Sequence, residues 1–150
     1  MLNGLTKTAA RNIFVGGSAV FFIIFIALTI DSHLYIVNTS TDESTLDEGV
    51  IHGKQVWEKH SCINCHTLIG EGAYYAPELA NVWVRFGGRD DPETARENIK
   101  DWIRSQPTGD EGRRQMPNFN LSEEDLDGLV DFFEWVSRIE TQGWPPNDAG

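Results

Sequence analysis

The chain has little cysteine: two residues in 150, Cys62 and Cys65, three positions apart. That excludes a framework of several disulfides and a four-cysteine zinc site. Positive charge is also scarce. Twelve Lys and Arg stand against 23 Asp and Glu, giving a net charge of −11 and a pI near 4.6. This balance argues against nucleic-acid binding, which uses a basic face. Beyond Met1 the only methionine is Met116. No stretch shows the alternation of a half-buried strand. Composition is otherwise ordinary, 40% hydrophobic and 23% charged, which does not fit disorder throughout.

The average conceals two unlike parts. Asn12 to Ile30 is a run of 19 residues without a charge, and 14 of the 18 from Ile13 to Ile30 are Ile, Phe, Val, Ala or Leu. At about 1.5 Å per residue, a helix of this length crosses the ~30 Å hydrocarbon core of a bilayer. A cleaved signal peptide is the alternative, but its apolar region is shorter, about 7–15 residues, and ends in a small-x-small site. This run instead leaves through Ile30-Asp31-Ser32-His33. A retained anchor is expected, residues 1–36, with its transmembrane helix at about 12–32. Gly16, Gly17 and Ser18 either admit a neighbouring helix or face lipid. Lys7 and Arg11 precede the run and no Lys or Arg follows until Lys54, so the N-terminus is expected in the cytoplasm. All 23 acids lie beyond the run with the other ten basic residues, a net −13 on the outer part. Residues 37–48 read as a polar, acidic linker, and 49–150 as one small domain outside the membrane.

Cys62-Ile63-Asn64-Cys65-His66 is the attachment sequence for c-type haem. Two thiols on one short turn reach the two vinyl groups, and the adjacent imidazole faces the iron. A thioredoxin-like dithiol would need a βαβ setting, and a zinc site would need further ligands; neither is visible. A sixth ligand is expected at Met116, 50 positions after His66, in a loop with Pro107, Gly109 and Gly112. A thioether raises the reduction potential. The rival ligands His33, His52 and His60 read as membrane-exit or solvated surface residues. Arg113 and Arg114 either neutralise haem propionates or sit in a solvated loop.

Three amphipathic patterns surround the motif. Gly49 to His60 carries Val50, Gly53, Val56, Trp57 and His60 at three- and four-residue spacing, and Gly53 offers a flat place for a second helix to cross. Pro92 after Asp91 opens a helix to about Arg104, with Ala95, Ile99, Trp102 and Ile103 inward. Ser122-Glu123-Glu124-Asp125 caps a third, with Leu126, Leu129, Val130, Phe133 and Val136 on one stripe. The expected fold is all-α: one transmembrane helix followed by a small monohaem cytochrome c domain of class I type, in which haem supplies part of the core.

The sequence resembles the small, membrane-anchored cytochrome c subunit of bacterial nitric oxide reductase. The likeness rests on Ala10-Arg11-Asn12-Ile13, on Cys62–His66 continuing as Thr67-Leu68-Ile69-Gly70-Glu71-Gly72-Ala73-Tyr74-Tyr75-Ala76-Pro77-Glu78-Leu79, on Gly112–Pro117, on Leu121-Ser122-Glu123, and on Trp144-Pro145-Pro146-Asn147. It covers nearly the whole chain, and the Gly-Glu-Gly-Ala-Tyr run is its most specific part. The resemblance implies a single-pass protein of the bacterial inner membrane with its haem domain in the periplasm. It implies one covalent haem c on Cys62 and Cys65 with His66 and Met116 as axial ligands. It implies electrons taken from a periplasmic cytochrome c or cupredoxin and passed to the haem b of a large catalytic subunit. The high-spin haem and non-haem iron of that partner reduce nitric oxide to nitrous oxide, so this chain holds no catalytic residue. It further implies an interface calcium near Gly72 and Tyr74; by residue type alone the segment is a Gly-rich loop whose carbonyl oxygens suit calcium. The net −13 suits a donor with a basic face. The rival readings are a free tethered shuttle, the monohaem subunit of a haem-copper oxidase, and a haem gas sensor.

Overall fold

The computed structural model describes residues 4–112 and 114–144. The chain separates between Ser40 and Thr41 into two compact units.

The first unit is one long helix, α1 (Lys7–Tyr35), continued by a π-helical turn over Ile36–Ser40. Thr6 caps it, its hydroxyl accepting from the Ala9 N–H at 3.1 Å. The helix outruns the expected 12–32 at both ends. The charge-free run limits what fits in hydrocarbon, not where helical hydrogen bonding stops, and the cap lies outside it. No residue of α1 is buried within the chain, and the helix is long and apolar enough to cross a membrane. A Cβ on Gly16 or Gly17 would touch nothing within 4 Å. The stretch read as a linker contains the end of the π turn and a short 3-10 turn, Glu43–Thr45, that Asp42 caps.

The second unit is built on α2 (Glu48–Lys59), α3 (Val82–Arg85), α4 (Pro92–Arg104) and α5 (Glu123–Val136). Its starts follow the side-chain caps. Asp47 accepts from Val50 N–H, Asp91 from Thr94 N–H, and Ser122 with Asp125 forms a reciprocal capping box. α2 and α5 form the main packing. They cross where Gly53 meets Gly128: a Cβ on Gly53 would fall 1.9 Å from the Gly128 carbonyl oxygen. The close approach buries Val50, Val56 and Trp57 against Leu126, Leu129, Val130, Phe132, Phe133 and Val136, with Ala95, Ile99 and Ile103 from α4. Trp57 meets Phe133 edge-on, centroids 6.0 Å apart.

Three expectations need correction. Trp102 does not turn fully inward, being 46% exposed. The buried fourth position of α4 is Lys100, whose Nζ reaches Asp127 at 2.9 Å, Glu97 at 3.0 Å and Glu123 at 3.5 Å; partnered carboxylates offset the cost of covering its charge. His52 and His60 are half-buried rather than solvated: His52 Nε2 lies 3.0 Å from Asp125 Oδ1, and the His60 ring packs on Phe119. A two-rung antiparallel hairpin also occurs, β1 (Thr67–Leu68) with β2 (Glu71–Gly72), too short to leave an alternating pattern. Its turn residues, Ile69 and Gly70, both have positive φ, as a two-residue type I′ turn requires.

Candidate haem site

The attachment motif follows α2 directly. Ser61 takes a left-handed conformation after the helix, and Cys62–Asn64 form one 3-10 turn, closed by Cys65 N–H and His66 N–H donating to the Cys62 carbonyl at 3.1 and 2.9 Å. Both cysteines sit on this one turn. Cys62 is half-buried and faces an apolar slot, where burial pushes its thiol up to about 11. Cys65 is exposed and is not part of the slot lining.

His66 is 7% exposed, and its ring stands 6.5 Å from that of Trp57. Its Nδ1 lies 2.8 Å from the Pro77 carbonyl. A carbonyl oxygen only accepts, so Nδ1 carries the hydrogen and Nε2 keeps its lone pair. Burial lowers the imidazole's pKa and outweighs the opposing pull of the Pro77 carbonyl, which favours that neutral form. The hairpin brings Pro77 into reach. Gly72 makes the turn possible, because at φ +121° a Cβ there would fall 2.3 Å from the His66 carbonyl oxygen and 2.9 Å from Ile63 Cγ1.

Met116 is half-buried, packs against the core, and lines the same slot as His66 and Cys62. The other walls come from α3, α4 and α5, including Val82, Ile99, Trp102, Ile103, Leu129 and Phe133. Together they bound about 480 Å³ free of protein atoms, part of it open to solvent. The slot is apolar apart from His66, and it holds one thiol, one oriented imidazole and one thioether. An apolar lining with that donor set is chemically suited to a largely apolar macrocycle that carries a metal. Trp102 and Trp57 belong to the lining, whereas Trp83 is core.

Two residues play parts their sequence context did not disclose. Glu78 is 3% exposed, and its carboxylate accepts from the N–H groups of Ile69 (2.9 Å), Ala80 (2.9 Å) and Gly70 (3.1 Å), with Trp144 Nε1 at 3.5 Å. Burial alone would raise its pKa, but those donors outweigh it and hold the carboxyl below its usual range. Glu78 therefore fixes the loop that carries the Pro77 carbonyl. A glutamate within a Pro-Glu-Leu triplet gives no such signal, since its partners are backbone groups up to nine positions away. Arg114, read as a propionate partner or a residue of a solvated loop, is exposed, donates to the Tyr75 carbonyl and lies 4.6 Å over the Tyr75 ring. Arg113 and the tail residues Pro145, Pro146 and Asn147 lie outside the described residues.

Gly72 and Tyr74 sit on the exposed part of the same loop, Tyr74 at 69% exposure. Among the described residues no group of three or more His, Cys, Asp or Glu is placed to hold a metal ion.

A family model for cytochrome c matches residues 50–137. The nitric oxide reductase C subunit of Halomonas halodenitrificans is 57% identical over 150 residues, covering all of both chains. The same subunit of Paracoccus denitrificans is 56% identical over 146 residues, 97% of each chain, and that of Stutzerimonas stutzeri 48% over 150 residues, all of both.

Proposed function

The chain belongs to the family of nitric oxide reductase C subunits, and from that premise we propose that it is the electron-entry subunit of such a reductase. The observation that carries the reading is the shared slot, in which Cys62, an imidazole oriented by Pro77, and Met116 converge. Bound haem supplies a reversible one-electron change between Fe(III) and Fe(II). Cys62, in the slot lining, and the exposed Cys65 would hold it through thioether bonds. His66 would offer Nε2 to the iron, and the Pro77 carbonyl on Nδ1 would make that nitrogen a better donor. Met116, which lines the same slot, would offer its sulfur as a second ligand and would favour the reduced state. With His66 and Met116 both as ligands, the iron would have no open position, so the site would move electrons and leave nitric oxide reduction to a catalytic partner. A gas-sensing role would need one face open.

α1 is read as a single membrane-spanning anchor in the bacterial inner membrane. Lys7 and Arg11 before the run support a cytoplasmic N-terminus and a periplasmic haem domain spanning 49–150. The donor is a periplasmic cytochrome c or cupredoxin, and the acceptor is the haem b of the large subunit. The calcium reading at Gly72 and Tyr74 rests on the resemblance. Calcium takes about 6–8 oxygens, so an interface ion would draw most of its ligands from the large subunit.

The test is nitric oxide uptake by the complex purified through a tag on this chain, driven by a reduced cytochrome or an ascorbate–mediator couple. Uptake with a co-purifying haem b subunit is expected. A lone c-type haem protein without uptake, from cells shown to express the large subunit, would favour a tethered shuttle instead.

A further inference from the structure

The two residues before Met116 tie its loop in two directions. Gln115 closes the loop on itself: its Oε1 accepts from Thr108 Oγ1 at 3.2 Å and Gly109 N–H at 3.3 Å, and its Nε2 donates to the Asp110 carbonyl at 3.1 Å. Arg114 reaches out of the loop to Tyr75, both by hydrogen bond and by stacking. Tyr75 belongs to the segment that follows the attachment motif, and its neighbours are firmly held. Ala76 N–H donates to the Cys65 carbonyl at 2.7 Å, and Pro77 holds His66. The segment from Thr108 to Leu121 has no regular secondary structure among its described residues, and Gly109 and Gly112 have positive φ, so backbone pairing supplies little order there.

We propose that Arg114 and Tyr75 form a clasp between the methionine loop and the segment that carries Cys65 and His66. Arg114 is thus a positioning residue that sets how readily Met116 leaves the iron. The proposal rests on the reading of Met116 as axial ligand. An arginine suits the task because a planar guanidinium can donate to a carbonyl and stack on a ring at once; a lysine has one compact charge and no plane. Both partners are exposed, so water competes for the contact and its loss loosens the loop without unfolding the domain.

The experiment uses the full-length haem-loaded chain in detergent, oxidised, with imidazole as the incoming ligand. The readouts are the imidazole association rate and the long-wavelength methionine-to-iron charge-transfer band. Arg114→Ala is expected to bind imidazole about tenfold faster, the change that 1.4 kcal/mol produces, while keeping the band. Arg114→Lys and Tyr75→Leu should fall between it and the wild type. The double variant Arg114→Ala with Tyr75→Leu should be no faster than Arg114→Ala alone, because one contact is lost once. Arg89→Ala removes the same charge from an exposed site elsewhere and should match the wild type. A wild type that shows the band, with Arg114→Ala binding at the wild-type rate or the two substitutions acting additively, would overturn the clasp alone. A wild type without the band, binding imidazole as fast as Met116→Ala, would overturn the ligand reading and the clasp with it.

Discussion

Replacing Gly53 by alanine tests the packing that builds the slot. The added Cβ would lie 1.9 Å from the Gly128 carbonyl oxygen, 2.4 Å from its carbon and 2.7 Å from Phe132 Cβ. None of these atoms sits at the end of a flexible side chain. Restoring ordinary contact requires α2 and α5 to part by about 1.5 Å. Alanine gains up to about 1 kcal/mol in helix propensity over glycine. Overpacking against atoms that cannot swing aside costs about 3 kcal/mol or somewhat more, at the upper end of its usual range. The net expectation is a loss of about 2–3 kcal/mol. For a domain of this size that lowers the melting temperature by about 10–20 °C. Trp57 and Phe133 flank the crossing and line the slot, so the haem absorption spectrum should also change. Gly49→Ala is the comparison. Its Cβ meets the Asp131 carboxylate, a side-chain end that can move at the expense of an ion pair with Arg96, and it should lose less than about 1 kcal/mol. Thermal unfolding of the haem-loaded full-length chain, followed by circular dichroism, measures both. A Gly53→Ala protein as stable as the wild type, or a Gly49→Ala protein hurt more, would refute this account of the crossing.

Three further outcomes are expected. Glu78→Gln removes a charged acceptor from three backbone N–H groups and should lower stability by about 2 kcal/mol; it should also shift the reduction potential through the Pro77–His66 bond, read by redox titration, whereas a merely structural role would leave the potential unchanged. Met116→Ala should lower the potential by on the order of 0.2 V, within the ~0.8 V range set by axial ligands, and abolish the charge-transfer band; an unchanged potential and spectrum would remove Met116 as ligand. The carboxyls of Asp127, paired chiefly with Lys100, and Asp125, bonded chiefly to Ser122 and then His52, are held below their ordinary value of 3.8. Depressed values mean that their stabilisation is complete above that pH and is lost as pH falls through the folded-state values, so the melting temperature should drop steeply on acidification below about pH 4, and less steeply in Asp127→Asn.

The helices and the anchor were legible because their signals are local. A charge-free run of 19 residues, an Asp-Pro or Ser-Glu-Glu-Asp start, and apolar spacing of three and four each act within one helix, and the elements at 92–104 and 123–136 begin at those caps. That Cys62, Cys65 and His66 share one turn was legible for the same reason, since their spacing is local. The flat Gly53 was recognisable as a crossing point, but its partner Gly128, 75 positions away, was not. The positions of Lys100, His52 and Trp102 depended on which face α5 and the slot present to them, and an amphipathic pattern does not encode that for long or amphipathic side chains. Local sequence signals were enough for the membrane-length helix, the Cys62–His66 turn and the order of the helices. Folding was needed to show that Pro77 orients His66, that Glu78 holds the loop behind it, and that Arg114 lies over the Tyr75 ring. Those contacts join backbone carbonyls, N–H groups and a ring across 8 to 39 positions. A backbone group is the same at every residue, so the sequence cannot name it as a partner until the chain has folded.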